Sequence, residues 1–127
     1  MLDHVGISVR DVARSRAFYL AALAPLGYGI AMEVGEDGKG GHSNVGFGDG
    51  KPVFWIGIGQ TATGHMHIAF TAKDRASVDA FYRAALAAGG HDNGPPGLRP
   101  HYHPDYYGAF VFDPDGHNVE AVCHLPE

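Results

Sequence analysis

At 127 residues, with 45% hydrophobic and 18% charged residues and 19 glycines, the chain has the length and composition of one turn-rich domain able to bury a core. A formal net charge of −5, with nine dispersed lysines and arginines, argues against nucleic acid or an anionic membrane as partner. The single cysteine, Cys123, excludes an intrachain disulfide, and neither an export leader nor an apolar run of about 18 residues is signalled, so a cytoplasmic protein is expected.

Taken from the N-terminus, Leu2–Val9 alternates with the period of a strand, Val5, Ile7 and Val9 on one side and His4, Gly6 and Ser8 on the other. Asp11 then caps a predicted helix that turns Val12, Phe18, Tyr19, Ala22, Leu23 and Leu26 toward the sheet and stops at Pro25 and Gly27. Tyr28–Val34 is a predicted strand, and residues 35–41 are a glycine-rich loop. His42–Phe47 and Pro52–Ile58 form a predicted hairpin about Gly48-Asp49-Gly50, and Gln60–Gly64 is a linker.

At His67 the chain starts again. Sliding residues 4–28 onto 67–91 without a gap gives 11 identities in 25 positions: His4 falls on His67, Asp11 on Asp74, Phe18-Tyr19 on Phe81-Tyr82 and Gly27 on Gly90. This is the signature of two copies of one supersecondary unit, each opened by a histidine. The second copy reads as a strand at His67–Ala72, a helix from Asp74 to about Ala88, a stop at Gly89-Gly90, and an irregular, proline-rich segment over 91–105. A last hairpin, Tyr106–Phe112 with Asn118–His124, turns at Asp113-Pro114-Asp115-Gly116. Each copy is thus β-α-β-β-β, with module 1 at about 1–59 and module 2 at about 65–127 of a single α+β domain.

Period-two parity puts Glu120, Val122 and His124 on one strand face and Val119, Ala121 and Cys123 on the other, the side expected to be helix-covered. A gapless match of the two hairpins places Phe54 on Glu120. His4, His67 and Glu120 then lie on faces not needed for helix packing, beside the small residues Gly6 and Ala69. Two imidazoles and one carboxylate on an open sheet face make a 2-His-1-carboxylate set with coordination positions to spare. Taken singly, His4 or His67 is an ordinary strand histidine; it is the joint pattern that points to metal. His65 is expected at the surface beside such a site, His117 solvated in its turn, and His124 roughly 13 Å beyond Glu120 and out of reach. Asp113 and Asp115 fit turn chemistry, and Cys123 fits an inert core thiol.

The segment Arg99-Pro100-His101-Tyr102-His103-Pro104-Asp105-Tyr106-Tyr107 gathers aromatic and titratable side chains just before the Glu120 hairpin. It reads either as a rigid loop covering a sheet edge or as a substrate wall. In the second reading Tyr102 and His103 handle protons, while Arg99 and Tyr107, with Phe54 as an apolar wall, contact the substrate.

Leu2-Asp3-His4-Val5-Gly6-Ile7, His67-Ile68-Ala69-Phe70 and Asp113-Pro114-Asp115-Gly116-His117-Asn118-Val119-Glu120 resemble the vicinal oxygen chelate superfamily, which groups glyoxalase I, extradiol dioxygenases, methylmalonyl-CoA epimerase, fosfomycin-resistance transferases and bleomycin-binding proteins. The resemblance spans the chain. It implies paired βαβββ modules forming a partly open eight-stranded cup, with His4, His67 and Glu120 at the family's ligand positions for one divalent metal, be it Fe, Mn, Zn or Ni. It also implies a small-molecule substrate chelated through vicinal oxygens and dioxygenase- or lyase-type Lewis-acid chemistry. Glyoxalase I and the epimerase carry a fourth polar ligand where this chain, in the gapless match, has Phe54, so efficient glyoxalase I activity is not expected. Open cups leave sheet edges that a homodimer would cover. A metal-free, ligand-sequestering protein of the bleomycin-resistance type is the alternative.

Overall fold

The computed structural model describes residues 1–59 and 64–127, so most of the expected linker lies outside the described residues. The first module runs β1 (Val5–Ser8), α1 (Val12–Leu23), β2 (Gly29–Val34), β3 (Asn44–Gly48) and β4 (Phe54–Gly57). The second runs β5 (His67–Thr71), α2 (Arg75–Ala87), β6 (His91–Asp92), β7 (Gly97–Leu98), β8 (Tyr107–Phe112) and β9 (Asn118–Cys123). The strands form two sheets, ordered β1-β4-β3-β2 and β5-β9-β8-β6, in which β7 also pairs with β8. Because β6 and β7 both run antiparallel to β8, they share one edge, and the two modules have matching topology.

Each helix starts at an aspartate. Asp11 accepts from the Arg14 amide at 3.2 Å, and Asp74 from the Ser77 amide at 2.7 Å and the Ser77 hydroxyl at 2.6 Å, satisfying donors that the first helical turn leaves free. After α1 a short 3-10 turn at Ala24–Leu26 ends on Gly27, whose φ of 87° is left-handed and suits glycine.

One core joins the modules. Phe18, Tyr19, Phe47, Phe54 and Ile56 of the first and Phe70, Val78, Phe81, Val111 and Val119 of the second belong to a single buried cluster, and α1 packs on α2. The rings of Phe54 and Phe70 meet edge-on at 5.2 Å across the junction. Since the helix-covered faces of both sheets share this core, the open faces lie outside it.

The turn before β9 ties the modules together further. Contrary to the sequence expectation, His117 is buried, not solvated. Its Nδ1 accepts from the Met66 amide at 2.9 Å, which leaves the proton on Nε2 to donate to the Ser8 carbonyl at 3.3 Å. Burial is tolerated because both ring nitrogens are satisfied. Among the described residues no helix is long and apolar enough to cross a membrane.

Candidate metal and ligand site

On the open face of the second sheet, the β5–β9 register sets Ala69 opposite Glu120 and His67 opposite Asn118. With only a methyl group at position 69, the His67 imidazole reaches sideways, and its Nε2 stands 3.2 Å from Oε1 of Glu120. Glu120 is 2% exposed whereas the His67 side chain is 51% exposed, so the carboxylate is recessed beneath the ring. The other ring nitrogen, Nδ1, lies 3.2 Å from the Asn118 carbonyl. A carbonyl only accepts, so Nδ1 carries the proton. In a neutral imidazole Nε2 therefore turns a lone pair toward a carboxylate oxygen. Two acceptors at that distance need either a shared proton or a metal ion between them.

The remaining carboxylate oxygen is occupied. The Tyr106 hydroxyl donates to Oε2 of Glu120, and burial first, then this bond, holds the phenol well above the usual tyrosine range. Gly108 lies beneath the pair: a Cβ there would come within 3.2 Å of both Glu120 Oε2 and the Tyr106 ring. Phe110, opposite Glu120 in the β8–β9 register, stacks on His67 with ring centroids 6.4 Å apart. Tyr106 lies in the aromatic segment 99–107 that the sequence pattern singles out, but the pattern gives it no role of its own. Period-two counting along β8 from Phe110 through Gly108 would have found it on Glu120's face.

The other expected donor, His4, immediately precedes β1 of the first sheet. His4 Nδ1 is 2.7 Å from Asp3 Oδ1, and Asp3 is also bound by Lys51 at 2.6 Å; the Lys51 bond first, then His4, holds the Asp3 carboxyl below its ordinary range. In this sheet Gly6 pairs with Trp55 just as Ala69 pairs with Glu120 in the other. Gly6 and Ala69 are repeat-equivalent, so the counterpart of Glu120 is Trp55, and Phe54 corresponds to Val119. This corrects the expected role of Phe54. It is 1% exposed, its ring packs on Tyr19, Phe47 and Phe70, and it cannot line a substrate wall. Trp55 instead lies half-buried on the open face, its indole so close over Gly46 that a Cβ there would approach it to 2.9 Å.

The segment before β8 divides. Tyr107 faces away from the open side: its hydroxyl donates to Asp79 of α2 at 2.6 Å, Arg75 sits over its ring, and the Asp79 bond pushes its pKa up to about 12. That placement corrects its assignment as a substrate contact. Arg99 lies over Phe110 at 5.4 Å and donates to the Pro95 carbonyl at 2.7 Å; among the described residues it has no carboxylate partner. Tyr102 is 61% exposed and meets the Tyr106 ring at 5.1 Å. His103 is exposed, accepts from the Asp105 amide at 3.1 Å, and faces His124 at 5.8 Å. Neither Tyr102 nor His103 contacts Glu120 directly; Tyr106 stands between them and the carboxylate.

The fold thus brings His67, Glu120 and Tyr106 together and sets His4 and Trp55 on the other sheet. Among the described residues no three His, Cys, Asp or Glu side chains are grouped to hold a metal. The donor chemistry of His67 and Glu120 fits a divalent ion with two of the three protein ligands such sites use, and the third has to reach them from outside this cluster.

The family model described as Glyoxalase/Bleomycin resistance protein/Dioxygenase superfamily matches residues 1–121. Among solved structures, the chain is similar to a glyoxalase/bleomycin resistance protein from Albidiferax ferrireducens T118, at 30% identity over 99% of each chain with a TM-score of 0.75. A lactoylglutathione lyase from Agrobacterium tumefaciens shares the fold at 19% identity (97% of this chain, 92% of the other, TM-score 0.69). So does the fosfomycin resistance protein FosX from Mesorhizobium loti, at 22% identity (97% and 91%, TM-score 0.67). Comparison with curated protein sequences gives no match.

Proposed function

The chain belongs to the glyoxalase/bleomycin resistance protein/dioxygenase superfamily, and from that premise we propose that it is a divalent-metal-dependent enzyme working as a homodimer. His67 and Glu120 would supply two ligands, and His4 of a second copy the third. The observation that carries this reading is the His67 Nε2 lone pair directed at the recessed Glu120 carboxylate, 3.2 Å away. A bound ion would supply Lewis-acid charge to a small substrate offering two neighbouring oxygens, in dioxygenase- or lyase-type chemistry. Protein side chains would do the rest: Phe110, with the Trp55 that accompanies His4 on the second copy, would exclude water with apolar surface, and Arg99, without a carboxylate partner among the described residues, would receive a negative oxygen. Tyr102 and His103, at the rim, are the groups from which protons would be exchanged with solvent.

Trp55 in the place that Glu120 holds in the other module supports the exclusion of efficient lactoylglutathione lyase activity, because an indole neither takes up a proton nor binds a hard divalent ion. It also favours one competing reading. A flat, half-buried indole on an open face suits a metal-free protein that binds a ligand by stacking, with His67 protonated against Glu120 instead of metal-bound. Elemental analysis of protein prepared without chelator, alongside His67→Ala and His4→Ala, separates the two. About one ion per wild-type chain, lost in both variants, is expected. Equal metal content in all three proteins would sink the enzyme reading and leave the binding one.

A further inference from the structure

The two oxygens of Glu120 face different partners. Oε1 is turned to His67 Nε2 at 3.2 Å, while Oε2 receives the Tyr106 hydroxyl. We infer that Tyr106 is a positioning residue that makes Glu120 a one-oxygen ligand, an inference that rests on the metal reading above.

Four features fix the arrangement. The acceptor is a carboxylate oxygen, so the phenol must donate, and an O–H donated to an ionised oxygen is among the stronger hydrogen bonds. The ring is held from two sides, by His124 at 5.1 Å and a 90° interplanar angle and by Tyr102 at 5.1 Å. Its backbone is pinned as well: the Tyr106 amide donates to the His103 carbonyl at 3.1 Å, and its carbonyl accepts from Arg99 at 2.7 Å. Finally, position 108 is glycine where any Cβ would press at 3.2 Å on both members of the pair. A tyrosine present only to fill space would need neither the recessed carboxylate nor the cleared floor.

The consequence is a matter of coordination number. A carboxylate that binds through both oxygens takes two of the six positions around an octahedral ion, whereas one held by a single oxygen takes one. If His4 of a second copy supplies the other imidazole, one-oxygen binding by Glu120 would leave room for both oxygens of a substrate and for a further ligand. The phenol donated to Oε2 takes up one lone pair of that oxygen and so favours coordination through Oε1 alone.

The test uses Co(II) as the probe, with wild type, Tyr106→Phe, Gly108→Ala and His67→Ala. Affinity is read by competition with a chelator and geometry by the visible Co(II) absorption, so no activity assay is needed. Wild type is expected to bind Co(II), and Tyr106→Phe to bind it about 10- to 100-fold more weakly with an altered absorption spectrum. Gly108→Ala, which displaces the same pair while keeping the phenol, is expected to alter the spectrum in the same sense. A purely structural role would lower the melting temperature and leave the spectrum of the bound form alone. If wild type binds Co(II) in a His67-dependent way, and both Tyr106→Phe and Gly108→Ala match its affinity and spectrum, the positioning role is wrong and the metal reading stands. If wild type takes up no Co(II), the metal reading falls and the inference falls with it.

Discussion

The hydroxyl of Tyr19 lies 2.5 Å from Oδ2 of Asp113, so a side chain from the first helix closes onto the last turn of the second module. Both residues are buried, and the other oxygen of Asp113 accepts from the Asp115 and His117 amides at 2.9 and 2.8 Å. The repeat counterpart, Tyr82, makes only a local and exposed bond to Asp92. The same residue at the same repeat position therefore serves the junction between modules in one copy and the surface in the other.

Removing the Tyr19 hydroxyl strands a buried carboxylate oxygen. Tyr19→Phe is expected to cost about 2 kcal/mol of unfolding free energy, read from urea denaturation, and Tyr82→Phe clearly less. Equal losses for the two variants would show that the Asp113 bond is no special link between the modules.

The tyrosines also set an alkaline limit. Burial first, then Asp113, pushes Tyr19 up; the Asp79 bond brings Tyr107 to about 12; and Tyr106 is raised by burial and Glu120. An unfolded tyrosine ionises near pH 10. Above that pH the unfolded chain releases protons that the folded chain keeps, so stability is intact below about pH 10 and falls as pH rises toward 12. Melting temperatures measured between pH 9 and 11.5 should decline, less steeply in Tyr107→Phe. A flat profile would contradict the raised values.

The repeat was legible because α1 and α2 keep the same length to their shared Phe-Tyr pair, and a gapless comparison finds them. The same comparison fails at the hairpins. Residues 49–52 separate Gly48 from Val53, but the equivalent turn, between Phe112 and Asn118, is residues 113–117, one longer. The turn glycines therefore do not correspond: two residues stand between Gly50 and Val53 but only His117 between Gly116 and Asn118, so a match that sets Gly50 on Gly116 slips by one and exchanges open-face Trp55 for core Phe54, since neighbours on a strand point to opposite sides. Two adjacent tyrosines, 106 and 107, pose the same problem, and only the register of Phe110 against Glu120 separates them. The burial of His117 and the separation of His4 from His67 are tertiary facts that no local pattern encodes.

With Trp55 as the counterpart of Glu120, the open face of the first sheet lacks a second proton-handling carboxylate at the repeat-equivalent position. Purified, metal-loaded protein is therefore expected to turn over the methylglyoxal–glutathione hemithioacetal no better than its own His67→Ala variant. Robust conversion that disappears in Glu120→Ala would overturn this.

The last prediction concerns where the third ligand comes from. Among the described residues of one chain no third ligand-type side chain joins the His67–Glu120 pair, so a set that includes His4 calls for two chains, and light scattering should give twice the 13.5 kDa chain mass. A sharper measurement mixes two defective variants. His4→Ala and His67→Ala homodimers should each hold little metal. In a mixed dimer related by a two-fold axis, one site has lost both histidines and the other has lost neither, because its His4 comes from the His67→Ala chain and its His67 from the His4→Ala chain. Equal amounts unfolded and refolded together should recover about a quarter of the wild-type metal, since about half the dimers are mixed and each carries one intact site. A site contained within one chain recovers nothing on mixing, because every chain in the mixture lacks a ligand. Failure to recover metal, in a sample shown by native mass spectrometry to contain mixed dimers, would rule out the shared site.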